Sequence, residues 1–253
     1  MGDLREILIT AVPGLPEITP GFKLGAAITD RIDVAAEDVL VISQKVVSKA
    51  EDRVFNLDSI SPGPEAARLG SDLGKDPRLV ELILRESRAI IRTDLARGIL
   101  ITETHHGFIC ANAGIDASNL NDPDTVILLP RDCDHSARLI RAEIEDAVGV
   151  SPGVIISDSF GRAWRHGQSE VALGCAGIDV LDDWRGLPDR SGRILTSTSI
   201  AVADQIAAAS DLARSKTSGT PVIRLRGLGR FVQADNGPGN SSQLRSPAED
   251  LFR

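Results

Sequence analysis

The stretch Val154-Ile155-Ile156-Ser157-Asp158-Ser159-Phe160-Gly161-Arg162-Ala163-Trp164-Arg165-His166-Gly167-Gln168 passes from an apolar run into the densest polar segment of the chain. The β-branched run Val154 to Ile156 reads as a buried strand, which puts Asp158 and Ser159 at its C-terminal end. A carboxylate there projects from a rigid element into the crevice where loops diverge, a setting that suits a hard divalent cation. Ser159 adds a hydroxyl oxygen, and Arg162 and Arg165 can fork onto phosphate or carboxylate oxygens. The same residues allow a plainer reading, in which Asp158 and Ser159 cap a helix beginning near Gly161 and the arginines are solvated.

Outward from this strand, similar runs recur between turn signals: Ile7-Leu8-Ile9, Val39-Leu40-Val41-Ile42, Ile99-Leu100-Ile101, Val126-Ile127-Leu128-Leu129 and Val222-Ile223-Arg224-Leu225. Each predicts a strand. Helical spacing of apolar residues runs from Asp76 to Ser87, from Ser136 to Val148 and from Ser199 to Ser215, with Gly149 placed to end the second. The irregular alternation gives no repeated βαβ unit, so the expected class is α+β rather than doubly wound α/β. Ser59 to Pro64 and Asn236 to Ser242 read as loops, and neither is long enough to part independent domains. Residues 1–253 are therefore taken as a single domain, or as two entwined subdomains. Leu251 and Phe252 predict a docked C-terminus.

With 253 residues, 42% of them hydrophobic and 25% charged, the chain can bury a full core. A net charge of −8 argues against a nucleic-acid partner held by phosphate neutralisation. Aromatic residues make up 3% of the chain and Tyr is absent, which also disfavours a single-strand stacking platform. The N-terminus lacks the apolar core of a signal peptide, and no stretch approaches the roughly 20 apolar residues of a membrane span. A cytoplasmic protein without membrane or nucleic-acid partners is expected. Cys110, Cys133 and Cys175 form neither a disulfide framework nor a CxxC pair and read as small core residues.

Three further clusters carry polar chemistry. Ala111-Asn112-Ala113-Gly114-Ile115-Asp116-Ala117-Ser118-Asn119 mixes small residues with an acid and two amides; taken alone it reads as an Asx-type turn. Paired with Asp158, however, Asp116 completes the carboxylate set that holds Mg2+ or Mn2+ against substrate phosphates. In Ser43-Gln44-Lys45-Val46-Val47-Ser48-Lys49, the two lysines are four apart and share a helical face, aimed at a polyphosphate or simply solvated. Val12-Pro13-Gly14-Leu15-Pro16-Glu17-Ile18 is a rigid turn that is structural or lines a nucleotide pocket. His105, His106, His135 and His166 lack zinc-ligand spacing, and the acids of Asp132 to Asp134 and Asp182-Asp183 read as solvated loop residues. The usual phosphate-loop, dinucleotide, zinc-protease and nucleophile-elbow signatures are missing from the sequence.

At these clusters the sequence closely resembles the coenzyme F420-0:L-glutamate ligase family, in its stand-alone form without the flavin-binding domain that some bacterial members carry at the C-terminus. The resemblance lies in Gly14-Leu15-Pro16-Glu17, Gln44 to Glu51, Ile101-Thr102-Glu103-Thr104, Ala113 to Asn119, Ser157 to Arg165 and Gly219-Thr220-Pro221-Val222, in order along the chain. It implies an α+β fold of mixed sheets with flanking helices in an entwined homodimer. It also implies an acid–amino-acid ligase that joins L-glutamate to F420-0, and γ-linked glutamate to F420-1, with GTP as co-substrate and GDP and phosphate as products. Leu15, Pro16, Glu17, Ile18, Gln44, Lys45, Lys49, Asn119, Lys216, Thr217, Ser218 and Gly219 would then contact GTP. Asp116, Asp158 and Ser159 would hold the cations, two Mg2+ or Mn2+ per site with K+ as a further ion.

On that reading Asp116, Asp158, Arg162 and Arg165 are the catalytic residues. The metals bridge the GTP phosphates, the F420-0 carboxylate attacks the γ-phosphorus, and the glutamate amine displaces phosphate from the resulting acyl phosphate. The same carboxylates would also serve a metal-dependent phosphohydrolase, and the same pocket a nucleotide-binding module without turnover.

Overall fold

The computed structural model describes residues 6–117, 122–214 and 219–251. From the N-terminal side run β1 (Leu8–Ala11), α1 (Leu24–Thr29), β2 (Val39–Ser43) and α2 (Gln44–Ala50). Next come β3 (Val54–Asn56), α3 (Pro64–Leu73), α4 (Pro77–Arg85), β4 (Ser87–Asp94), β5 (Ile99–Thr104), β6 (Ile109–Ala111) and β7 (Thr125–Ile127). The remainder is α5 (Cys133–Val148), β8 (Gly153–Arg162), β9 (Arg165–Ala176), β10 (Leu181–Asp183), β11 (Ser199–Ala201), α6 (Val202–Asp211) and β12 (Val222–Arg226).

The main sheet has the order β1-β12-β2-β8-β9 and is antiparallel except for the β2/β8 pair. Both of its faces are covered. Leu40, Ile42, Val154 and Ile156 pack with Ile28 of α1 and Ile140 and Ile144 of α5. The alternate residues Val39, Val41, Ile155 and Ile223 pack with Val202, Ala203 and Ile206 of α6. That two-sided burial is why these strands read as unbroken apolar runs rather than as alternating ones. Each such side chain removed from water contributes about 1.5–3 kcal/mol, so the central strands form a stiff platform.

Between α2 and α5 the chain leaves this platform and builds smaller layers, the β3/β7 pair and the β4-β5-β6 sheet. Helices α3 and α4 cover them, with Val80 and Ile83 packed against Leu100 and Ala113. Asp76 caps α4 by accepting from the Arg78 backbone N–H at 2.8 Å, and Pro77 fills the first helical position, where a missing N–H costs nothing. Gly149 ends α5 with φ +74, as its position predicts. The architecture is thus α+β, mixed sheets with flanking helices.

Several expectations are corrected. No helix begins near Gly161; β8 runs on to Arg162 and turns through Ala163-Trp164 into β9. The turn escaped the sequence reading because Trp164, not Gly or Asn, takes the left-handed position at φ +64. Asp132 is the N-cap of α5, accepting from His135 N–H at 2.9 Å, and Asp134 accepts from the backbone N–H of Cys175 and Asn240. Asp182 and Asp183 lie in β10, where the Arg185 guanidinium holds the Asp183 carboxyl at about 2. Ser199 to Ala201 is a strand, so the helix there starts only at Val202. Leu251 is 83% exposed, against the docked terminus expected, and Phe252 lies outside the described residues.

Candidate active site

Strands β2 and β8 run parallel with Ser43 opposite Ser157, and their C-terminal ends open on the same side of the sheet. The start of β12 arrives there too, since Ser43 N–H donates to the Pro221 carbonyl at 2.9 Å. Crevices at the C-terminal ends of parallel strands are where open sheets receive ligands. A cavity of about 420 Å3 lies at this edge.

Its walls come from distant parts of the chain. Leu15, Pro16, Glu17 and Ile18 form one side; Gln44, Lys45 and Lys49 come from α2; Asp116, Asp158, Ser159, Glu170, Asp211, Arg214 and Gly219 are among the others that line it. Asp116 and Asp158 therefore share a single cavity, as the sequence reading requires. Asn119, Lys216, Thr217 and Ser218 lie outside the described residues. Arg162 and Arg165 do not line the cavity: they sit at the exposed end of the β8/β9 hairpin, where Arg162 Nη2 donates to the His166 carbonyl at 2.6 Å.

Asp116 is held by its backbone, which exchanges hydrogen bonds with Ile127 at 2.9 and 2.8 Å. It follows a left-handed turn in which Asn112 and Ala113 both have φ +53. Strain of that kind persists only where the surroundings over-determine it. Gly114 closes the turn at φ +70, and a Cβ on it would meet the Leu129 side chain at 2.8 Å. Leu129 thus leaves little room for a side chain at Gly114, two residues before Asp116.

Both cavity lysines are engaged by acids. Lys45 Nζ lies 2.8 Å from Asp116 Oδ2, and Lys49 pairs with Glu17. On β8, Ser157 Oγ donates to Glu170 Oε2 at 2.6 Å and Ser159 Oγ donates to Glu170 Oε1 at 2.5 Å. Donating to Glu170 aligns the Ser159 hydroxyl, whose oxygen is a hard donor of the kind a divalent cation takes. A register shift between Ile156 and Ser157, a feature common beside active sites, brings Ser159 opposite Glu170.

Among the described residues no group of three or more His, Cys, Asp or Glu is placed to hold a metal ion. Two carboxylates and one hydroxyl, all hard oxygen donors, instead fit a cation that keeps waters and takes its remaining ligands from phosphate, the habit of Mg2+ and Mn2+. A second cavity, of about 550 Å3, shares Asp116, Asp158 and Ser159 with the first and is lined further by Cys110, Asn112, Phe160 and Gln168. Burial, with Asp158 adding to it, pushes the Cys110 thiol up to about 12, so it offers no thiolate nucleophile. His105 and His106 are engaged through Nε2 with the carbonyls of Arg85 and Pro130.

Glu170 and Arg214 were not singled out from the sequence. Glu170 becomes legible only once β8 and β9 are known to pair, and Arg214 only once the chain after α6 is known to return along the cavity.

Residues 14–227 match the family described as F420-0:Gamma-glutamyl ligase. A coenzyme F420:L-glutamate ligase of Methanopyrus kandleri is 42% identical over 255 aligned positions, covering 100% of both chains. Its counterpart from Methanothermobacter thermautotrophicus is 41% identical across 98% of this chain and 99% of its own. That from Methanocaldococcus jannaschii is 41% identical across 85% and 84%.

Proposed function

The chain belongs to the F420-0:gamma-glutamyl ligase family, and from that premise we propose that it is the GTP-dependent ligase joining L-glutamate to coenzyme F420-0 through an acyl phosphate, with further addition to F420-1. A ligase of coenzyme F420 biosynthesis follows from the family. The observation that carries it is the meeting of Asp116 and Asp158 with Lys45 and Lys49 in one cavity.

The nucleotide occupies the 420 Å3 cavity, its base end toward Leu15 to Ile18 and its phosphates toward Lys45, Lys49 and the acids. Asn119, Lys216, Thr217, Ser218 and Gly219 are assigned to the same nucleotide. When bound, Mg2+ or Mn2+ held by Asp116, Asp158 and Ser159 neutralises phosphate charge and polarises the transferring phosphoryl group. Lys45 and Lys49 exchange their carboxylate partners for phosphate oxygens. The F420-0 carboxylate and L-glutamate approach from the 550 Å3 side, which meets the nucleotide side at Asp116, Asp158 and Ser159. The carboxylate oxygen attacks the γ-phosphorus and GDP leaves; the glutamate nitrogen then attacks the acyl carbon, phosphate leaves, and the nitrogen sheds its proton. No protein nucleophile is needed, because positioning and charge neutralisation supply the catalysis.

A homodimer belongs to this proposal. Trp164 is 87% exposed at the tip of the hairpin that carries Arg162 and Arg165, and a partner subunit there would give those arginines a role at a shared site. No helix among the described residues is long and apolar enough to cross a membrane.

Incubation with GTP, Mn2+, L-glutamate and F420-0, with K+ varied separately, tests the assignment by mass spectrometry. A glutamate-dependent mass gain with GDP formation supports it. Phosphate release without product supports a phosphohydrolase, and binding without turnover supports a nucleotide-binding module.

A further inference from the structure

Among the described residues, the guanidinium of the largely covered Arg214 is held less closely than those of the buried Arg53 and Arg141. Its side chain is 12% exposed and lines the nucleotide cavity. Nη1 reaches Glu170 Oε2 at 3.4 Å and Nη2 reaches the Pro221 carbonyl at 3.5 Å, both at the outer edge of hydrogen bonding. Nε is buried with no hydrogen-bond partner among the described residues, as is Arg224 Nε. Arg141, by contrast, donates at 2.9 Å to Pro152 O, 3.0 Å to Asn236 Oδ1 and 2.7 Å to Gln233 O. Arg141 is a satisfied structural cation.

A guanidinium withdrawn from water and left short of acceptors is costly unless a ligand completes it. The planar fork matches the paired oxygens of a phosphate. Position selects which phosphate. Glu170, the anion beside Arg214, also takes the proton of Ser159, so Arg214 stands two contacts from the oxygens assigned to the cation. Resting on the proposed ligase function, we infer that Arg214 binds the terminal phosphate of the nucleotide triphosphate, and so recognises the group that is transferred. Lys45 and Lys49 reach the polyphosphate from α2; Arg214 reaches it from the segment after α6, and its charge offsets the negative charge that builds on the phosphoryl oxygens.

The test compares binding of GDP with binding of the non-hydrolysable β,γ-imido analogue of GTP, both with Mn2+, to the full chain. Arg214→Met is expected to weaken the triphosphate analogue at least tenfold while GDP stays within threefold of wild type. Arg214→Lys, which keeps the charge but loses the fork, is expected to fall between. Equal losses for the two nucleotides, or no loss for either, overturn the inference. Should Arg214→Met melt below assay temperature, Arg214→Lys decides alone, and wild-type discrimination in that variant overturns the inference. A wild-type chain that binds neither nucleotide removes the ligase reading and this inference together; one that binds both alike in wild type and variants removes only the inference.

Discussion

Lys45 Nζ sits 2.8 Å from Asp116 Oδ2, a salt bridge between α2 and a loop of the inserted layers. In the proposed ligase this pair is a holding arrangement: nucleotide draws Lys45 to phosphate while Asp116 turns to the cation. Lys45→Met therefore acts with opposite signs on the two ligands. Losing a charged hydrogen bond to phosphate, worth about 1.5–3 kcal/mol, weakens nucleotide binding roughly tenfold or more, while Mn2+ binding to the nucleotide-free chain tightens because one cation competing for Asp116 is removed. Calorimetric titration of each ligand separately measures both, and a fall in both affinities would contradict the exchange.

Asp158→Asn removes a cation ligand while keeping the shape of the strand end. Disturbing residues behind a metal ligand commonly costs 10–100-fold, so losing the ligand itself should lower turnover by more than about 100-fold. The melting temperature should stay near that of wild type, since Asp158 lies outside the apolar clusters that hold the sheet. Wild-type rates in the variant would refute the assignment.

Glu170 acts through Ser159. As a carboxylate it accepts from both Ser157 and Ser159; an amide at Glu170→Gln can accept through only one atom, which frees the Ser159 hydroxyl to reorient. The Mn2+ concentration for half-maximal activity should rise roughly 10–100-fold, with most of kcat recovered at saturating Mn2+. A variant equally impaired at all Mn2+ concentrations would show that Glu170 does not work through the cation.

Asp204 is a partly buried acid away from the site. Burial raises its carboxyl above the ordinary value, outweighing the hydrogen bonds from Ala172 N–H and Gln243 Nε2 that pull the other way. The folded chain thus holds this proton more tightly than the unfolded one. The associated stability is complete at pH below the unfolded value and is lost as pH rises through the folded value. Asp204→Asn, which cannot ionise, should melt higher than wild type at pH 7.5, with a smaller difference at pH 4. Thermal melts at both values decide, and a difference independent of pH would contradict the burial argument.

Gly174 of β9 lies against the backbone at the start of α5. A Cβ there would lie 2.2 Å from the Cys133 carbonyl carbon, a backbone atom that cannot swing aside. Gly174→Ala should cost about 3 kcal/mol, the upper end of overpacking penalties, read as a lower urea midpoint. An unchanged midpoint would mean that α5 moves freely on β9.

Much of this protein was legible in one dimension. The strands Val39 to Ile42, Val154 to Ile156 and Val222 to Leu225 announce themselves by unbroken apolar runs, and α4 and α5 by spacing, with Gly149 marking the end of α5, because burial on a sheet and helical periodicity are local patterns. The polar clusters around Lys45, Asp116 and Asp158 were visible as residue types beside such runs. What tertiary structure alone decided is which groups meet. The β8/β9 hairpin turns at Trp164 without a glycine signal, and only its register places Glu170 against Ser159. Arg214 reaches the cavity because the start of β12 docks beside the end of β2, while Arg162 and Arg165, adjacent in sequence to Asp158 and Ser159, end up at the hairpin tip. Side chains that share a ligand are selected by the pairing and direction of distant strands, and residue order carries no local trace of that pairing.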